Sequence, residues 1–141
     1  MGNLYAATHG GDIYVIDPDG VASVFASGFT TPFGVAVDSS DTVYITEHTL
    51  GNIYAIGPGG EAELFASGLT NPEGLAIDAN DNLFVADTAD GILLRIDPSG
   101  VQTIVASGMS YPVSMAFGPD GRLYLACAGS SGRVYVLTPN P

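Results

Sequence analysis

Three glycines spaced forty residues apart, Gly11, Gly51 and Gly91, each open a segment that repeats the one before it. "GDIYVIDPDGVASVFASG" is followed by "GNIYAIGPGGEAELFASG" and then by "GILLRIDPSGVQTIVASG", in register and without a gap. Pro32, Pro72 and Pro112 correspond, and after them "GVAVD", "GLAID" and "SMAFG". A repeat of this length is one supersecondary unit, which buries its apolar surface only by stacking on its neighbours. The period therefore restricts the chain to a solenoid or a propeller.

Residue types decide between the two. Each unit carries four short runs rich in Val, Ile, Leu, Tyr and Phe, for example Gly74 to Ile77, Leu83 to Ala86, Ile92 to Ile96 and Gln102 to Ala106. "DAND", "DTAD", "DPSG" and "SGLTNP" separate them. Runs this short, bounded by Gly, Pro, Asp and Asn, read as strands, and no segment sustains a helical period. The unit is thus a four-stranded antiparallel blade, with strands A ("GLAI"), B ("LFVA"), C ("LLRI") and D ("QTIVA"). Strands A and B are apolar or small on both faces, as strands sandwiched between neighbouring blades must be. The fold class is all-β, a β-propeller.

The opening "NLYAATH" matches strand B and the closing "RVYVLTPNP" matches strand C with its turn. The order is therefore BCD, ABCD, ABCD, ABC, which gives fourteen strands, or about three and a half blades, in a single partial domain over residues 1–141. Its repeat units are 11–50, 51–90 and 91–132, with terminal half-units 1–10 and 133–141. Propellers close with typically four to eight blades. An open arc would leave a blade face in water at each end, several hundred square ångströms of apolar surface. At roughly 25 cal/mol per Å², covering both faces is worth on the order of 10 kcal/mol before association costs. The expectation is self-association, as a homodimer or another homo-oligomer closing a ring of six or eight blades. A four-bladed monomer and a piece of a longer gene product are the alternatives.

The stretch "NPEGLAIDANDNLFVADTADGILLRIDPSG" resembles the repeats of NHL-type propellers and of the SMP-30/gluconolactonase and streptogramin-lyase-like propellers. The resemblance runs through the whole chain in its Pro-x-Gly, "DNLFVADT" and "RIDPSG" elements. It bears on architecture more than on activity, because these families share the repeat and differ in chemistry.

Charge narrows the partners. Fifteen Asp and Glu stand against three Arg and no Lys, for a net charge of −12. Such a surface repels phosphate backbones and anionic lipid, so neither nucleic acid nor membrane is an expected partner, while a neutral or cationic small molecule is. Most of the acids sit in turn contexts, where they bond their own backbone. Cys127 is the only cysteine, which excludes an internal disulfide, and within "LYLACA" it reads as a small buried hydrophobe. No apolar run is long enough to span a bilayer and no segment reads as a signal peptide. A leader removed from the chain would make it secreted or periplasmic.

Antiparallel connectivity sorts the loops. The A–B and C–D turns are tight and lie at one end, whereas the longer, more varied B–C and D–A loops lie at the other, beside the axis. Function belongs on the second face, whose ligand-facing residues are read as Asn71, Glu73, Asp87 and Thr88. Glu73 opens its strand A, at the position held by Phe33 and Val113 in the adjacent units. The resemblance implies a role for Glu73 in binding a divalent cation (Ca²⁺, Zn²⁺ or Mn²⁺). A hard cation wants several oxygen ligands, and Phe33 and Val113 depart from that set. A solvated loop glutamate is the plainer reading. Glu47, His48 and His9, at the ends of strand B, are candidate catalytic groups, since an imidazole near a carboxylate can serve as a general base. Glu47 and His48 are sequence neighbours and point to opposite faces of a strand. Asp87 and Thr88 are expected to tie down their own B–C loop. The repeated aromatics Tyr5, Tyr44, Phe84 and Tyr124, with Tyr14, Tyr54 and Tyr135, read as packing between blades. The functional reading is a binding or scaffolding module. A lactone hydrolase or a lyase, with its site completed by a second chain, and an inactive propeller fragment are the alternatives.

Overall fold

The computed structural model describes residues 2–138, and among them it holds fourteen strands in four antiparallel sheets. The first sheet contains β1 (Leu4–Ala7), β2 (Ile13–Ile16) and β3 (Ala22–Ala26). Two four-stranded sheets follow. One is β4 (Pro32–Val37), β5 (Val43–Glu47), β6 (Asn52–Ile56) and β7 (Ala62–Ala66). The other is β8 (Pro72–Ile77), β9 (Leu83–Asp87), β10 (Ile92–Ile96) and β11 (Gln102–Ala106). The last sheet contains β12 (Pro112–Phe117), β13 (Leu123–Cys127) and β14 (Arg133–Leu137). Each sheet is a meander in chain order, so the strand order expected from the repeat is the observed one. Met1 and the tail of the last half-unit, 139–141, lie outside the described residues. Among the described residues no helix is long and apolar enough to cross a membrane.

Side-chain oxygens bonding nearby backbone set the tight turns. Asp38 Oδ1 accepts the amides of Ser40 and Thr42, both at 2.8 Å, and Asp78 Oδ1 those of Asn80 and Asn82, both at 2.9 Å. The fourth residue of each A–B turn is left-handed: Asp41, Asp81 and Gly121, at φ of 62°, 60° and 75°. Asp17 and Asp97 do the same work in C–D turns. The acidic excess thus has a local structural role in many of its members.

Alternation along each strand sends one set of side chains to the preceding blade and the other to the next. Three cores result, one per joint. Ile13 of the first sheet shares one core with Val43, Ile45 and Ile56 of the second. Ile53 shares the next with Leu83, Val85 and Ile96 of the third, and Leu93 the last with Leu123 and Leu125 of the fourth. Phe84 of the third sheet meets Phe117 of the fourth edge-on across their joint, with ring centroids at 5.3 Å, and Tyr44 meets Phe65 edge-on within the second sheet, at 5.0 Å.

Two blades are also linked at the turn end. Ser39 donates its backbone amide and its hydroxyl to Asp81, at 3.0 and 2.6 Å, and these bonds hold the Asp81 carboxyl below its usual range. Tyr44 donates to Asp38 Oδ2 at 3.2 Å. Burial foremost, then the charge and hydrogen bond of Asp38 and the charge of Asp81, push the Tyr44 phenol up to about 12. A phenol whose pKa is higher folded than unfolded keeps the native state intact below the unfolded value near 10 and weakens it above. Denaturation midpoints should therefore fall between about pH 10 and 12, and Tyr44→Phe should flatten that part of the profile.

Candidate functional site

The loop face is held together by the ends of strand B. The amides of His48, Thr88 and Ala128 each donate to a D–A loop carbonyl, those of Thr31, Asn71 and Tyr111, at 3.0, 3.0 and 2.8 Å. One residue earlier stands a carboxylate in the two complete blades. Glu47 accepts the Thr30 amide on Oε1 (2.8 Å) and the Thr31 amide on Oε2 (3.1 Å). Asp87 accepts the Thr70 amide on Oδ2 (2.7 Å) and the Asn71 amide on Oδ1 (3.0 Å). Both carboxylates are fully buried, so each is a clasp for the D–A loop and has no face toward a ligand. Asp87 therefore organises the D–A loop, where the B–C loop was expected. Thr88 is also buried and donates its hydroxyl to the Pro112 carbonyl of the next blade at 2.8 Å.

The residues that do gather come from three successive blades. Going around the axis they are His9, Phe33, His48 and Glu73. The Phe33 ring lies 6.1 Å from that of His9, edge-on, and 5.7 Å from that of His48, tilted by 34°. His48 Nε2 stands 3.3 Å from Glu73 Oε1. Glu73 is 7% exposed, so the solvated loop glutamate of the sequence reading is corrected: the side chain lies in the angle between two blades, against an imidazole. Asn71 Nδ2 reaches the His48 carbonyl at 3.4 Å.

Sequence reasoning missed two members of this arrangement. Phe33 registered only as a break in an acidic pattern, yet its ring, half exposed, is the surface between the two histidines. Thr46 was overlooked altogether. It is fully buried, accepts the Gly34 amide at 2.7 Å and donates to the Glu73 carbonyl at 2.7 Å. It thereby spans two blades and fixes the backbone of Glu73. The available signal was that its counterparts Ala7, Ala86 and Ala126 are all alanine. Gly34 completes the contact, because a Cβ there would overlap the Glu73 carbonyl oxygen, so no larger residue lets the inner strands approach this closely.

Beside this row the inner strands β4, β8 and β12 line an open groove of about 370 Å³, bordered by Phe33, Glu73, Leu75, Val113 and Met115. It is apolar apart from Glu73, Ser114 and backbone. Among the described residues no three His, Cys, Asp or Glu side chains converge as a cation site requires. Glu73 offers one carboxylate already facing His48, and its counterparts Phe33 and Val113 offer no oxygen, so this chain's residues do not fit a resident divalent cation. Cys127, at the position of Glu47 and Asp87, is buried, and burial pushes its thiol up, away from the reactive thiolate.

Four antiparallel sheets of three or four strands, packed face to face in chain order, have the architecture of β-propeller blades. Residues 2–129 match the SMP-30/Gluconolactonase/LRE-like region, and the chain belongs to that family. Virginiamycin B lyase from Staphylococcus aureus is similar in structure, at 18% identity and a TM-score of 0.72, over 99% of this chain and 53% of that one. A Bacteroides thetaiotaomicron protein of unknown function aligns at 16% identity and a TM-score of 0.79, over 96% of this chain and 44% of that one. A nidogen/laminin complex aligns at 21% identity and a TM-score of 0.85, over 96% and 57%. These likenesses establish the fold, and this chain spans about half the length of the chains it matches. Comparison with curated protein sequences finds no match.

Proposed function

We propose that the chain is a propeller binding module which works within a completed ring and takes a small neutral or cationic molecule at the His9–Phe33–His48–Glu73 row. The observation that carries this reading is the Glu73 carboxylate, nearly buried, held 3.3 Å from His48 and bordering an otherwise apolar groove. A flat apolar body would lie on Phe33 and the inner strands while a donor or cation meets Glu73. The net charge of −12 works against anions. This division, an apolar lining with a few convergent polar groups, is usual for small-molecule sites.

His9 and His48 are the only two histidines, so their ring protons give a two-signal spectrum. Titration with phenethylammonium should shift the His48 signal. Glu73→Gln should weaken binding about tenfold to a hundredfold, the worth of a hydrogen bond to a charged group. An unmoved His48 signal at millimolar probe would overturn the reading.

One observation favours a second reading, an eliminating enzyme. An imidazole braced by a carboxylate is the arrangement a general base uses. One of the similar solved structures is described as a catalytically inactive histidine-to-alanine variant of virginiamycin B lyase with quinupristin. Under this reading the chain opens quinupristin without adding water, and His48→Ala abolishes that. The product then keeps the mass of quinupristin and separates from it on a column, so a chromatogram showing only unchanged quinupristin, or a product heavier by one water, would count against it.

A further inference from the structure

Glu73 stands where its own sheet does not hold it. The ladder between β8 and β9 pairs Pro72 with Asp87 and then Leu75 with Val85, so Glu73 and Gly74 together face the single residue Ala86. The ladder between β4 and β5 pairs Pro32 with Glu47 and then Val35 with Ile45, so Phe33 and Gly34 together face Thr46. Phe33 and Glu73 therefore both ride on bulges, which re-aim a side chain and leave backbone groups without ladder partners. The two bulges meet across the joint, where a Cβ on Gly34 would overlap the Glu73 carbonyl oxygen. Between them stands the Thr46 hydroxyl, which accepts the Gly34 amide at 2.7 Å and donates to the Glu73 carbonyl at 2.7 Å.

The next joint shows what the fold itself requires. Ala86 holds the Thr46 position there, so no hydroxyl ties the β8 bulge to β12. Yet a Cβ on Gly74 would still come within 2.7 Å of the Val113 carbonyl oxygen. Inner strands thus approach closely with alanine at this position. The hydroxyl is an addition at the joint where His48 meets Glu73.

From this we infer that Thr46 is the positioning residue of the site. Its hydroxyl sets the Glu73 backbone so that the carboxylate meets His48, and thereby sets the affinity for a cationic ligand. This rests on the binding reading proposed above. His48 is anchored separately, its amide donating to the Thr31 carbonyl at 3.0 Å and its carbonyl accepting Asn71 Nδ2 at 3.4 Å. With the imidazole held from its own side, its 3.3 Å separation from Glu73 Oε1 depends on where the β8 bulge is fixed. Thr46 is fully buried, so water does not compete for its two bonds. A carboxylate placed before the ligand arrives spares the cost of ordering it on binding.

Ring-proton spectra of the two histidines test this without a ligand. Thr46→Val keeps the shape of the side chain but can neither accept nor donate, and it should move the His48 signal toward its place in Glu73→Gln. Thr46→Ser keeps the hydroxyl and should leave the signal near that of the unaltered chain. Thr46→Val added to Glu73→Gln should move it no further, because no carboxylate is left to place. Phenethylammonium should bind Thr46→Val about fivefold more weakly and Thr46→Ser within about twofold of the unaltered chain. A His48 signal unmoved in Thr46→Val would overturn the inference, as would an equal displacement in the Glu73→Gln background or a Thr46→Ser chain that behaves like Thr46→Val. Thr46→Ala replaces the valine variant if that chain does not fold. Loss of the fold in both would also overturn it, since the hydroxyl would then serve the fold and not the site. Should the unaltered chain take up no phenethylammonium, the binding reading fails while the ring spectra still decide the role of Thr46.

Discussion

Replacing Asp87 with alanine should cost the fold about 3 kcal/mol, the loss of two hydrogen bonds to a charged acceptor less what the relaxed loop regains. The carboxylate is fully buried, and the amides of Thr70 and Asn71 have it as their acceptor, at 2.7 and 3.0 Å. Alanine leaves both donors facing apolar surroundings and opens a space where the carboxylate stood. Asp87→Asn should cost less, about 1 to 2 kcal/mol, because its carbonyl still accepts one amide while its NH₂ opposes the other. The protein itself shows how the loop relaxes. In the last blade the clasp is replaced by Cys127, and there the D–A loop takes another path, with Tyr111 at φ 60° and its side chain exposed. The corresponding residue Asn71 should swing likewise in Asp87→Ala, releasing its contact with the His48 carbonyl and loosening Pro72 and Glu73 just beyond. Urea midpoints for the two variants and the chemical shift of the His48 ring proton check both halves of the expectation. A loss under 1 kcal/mol for alanine would show that the clasp is redundant.

Much of the architecture was legible because a repeat states each physical requirement several times. Blade boundaries, strand order and the two kinds of loop followed from glycines, prolines and apolar runs returning every forty residues. The aromatics at equivalent positions do pack between blades, as Phe84 on Phe117 illustrates. The site was less legible for the opposite reason, since it consists of departures from the repeat. Phe33, Thr46 and Glu73 each differ from their counterparts, His48 is matched only by His9, and what they do depends on a neighbour in another blade. Glu47 and Asp87 misled because an acidic residue beside a histidine or threonine at a loop looks functional. Only the register, which turns them inward while the next residue turns toward the axis, shows that they serve the backbone. The clasp nevertheless sits one residue before the row it supports, so stability and site are coupled through the same few loop bonds.

That coupling makes the glycine marking each unit the most sensitive position away from the site. Gly51 lies in the left-handed region at φ 66°, and a Cβ there would overlap the Leu69 carbonyl oxygen of the D–A loop. The two segments are bonded as well, with the Leu69 amide donating to the Gly51 carbonyl at 3.1 Å, and Gly11 with Phe29 and Gly91 with Met109 repeat the arrangement. In Gly51→Ala the side chain adds about 1 to 2 kcal/mol of left-handed strain. It also forces backbone away from backbone, which breaks the Leu69 bond and lifts Leu69 from the core it shares with Leu75 and Leu83. The total should reach about 4 kcal/mol or more, among the largest single-residue losses to be expected. Gly68 separates the two causes. It is also left-handed, at φ 84°, but a Cβ added there would meet only open space, so Gly68→Ala should show the strain alone, about 1 to 2 kcal/mol. Guanidinium midpoints measured side by side would decide: equal losses in the two variants would mean that the approach of the two loops has no energetic weight, and that the glycines recur for their backbone angle only.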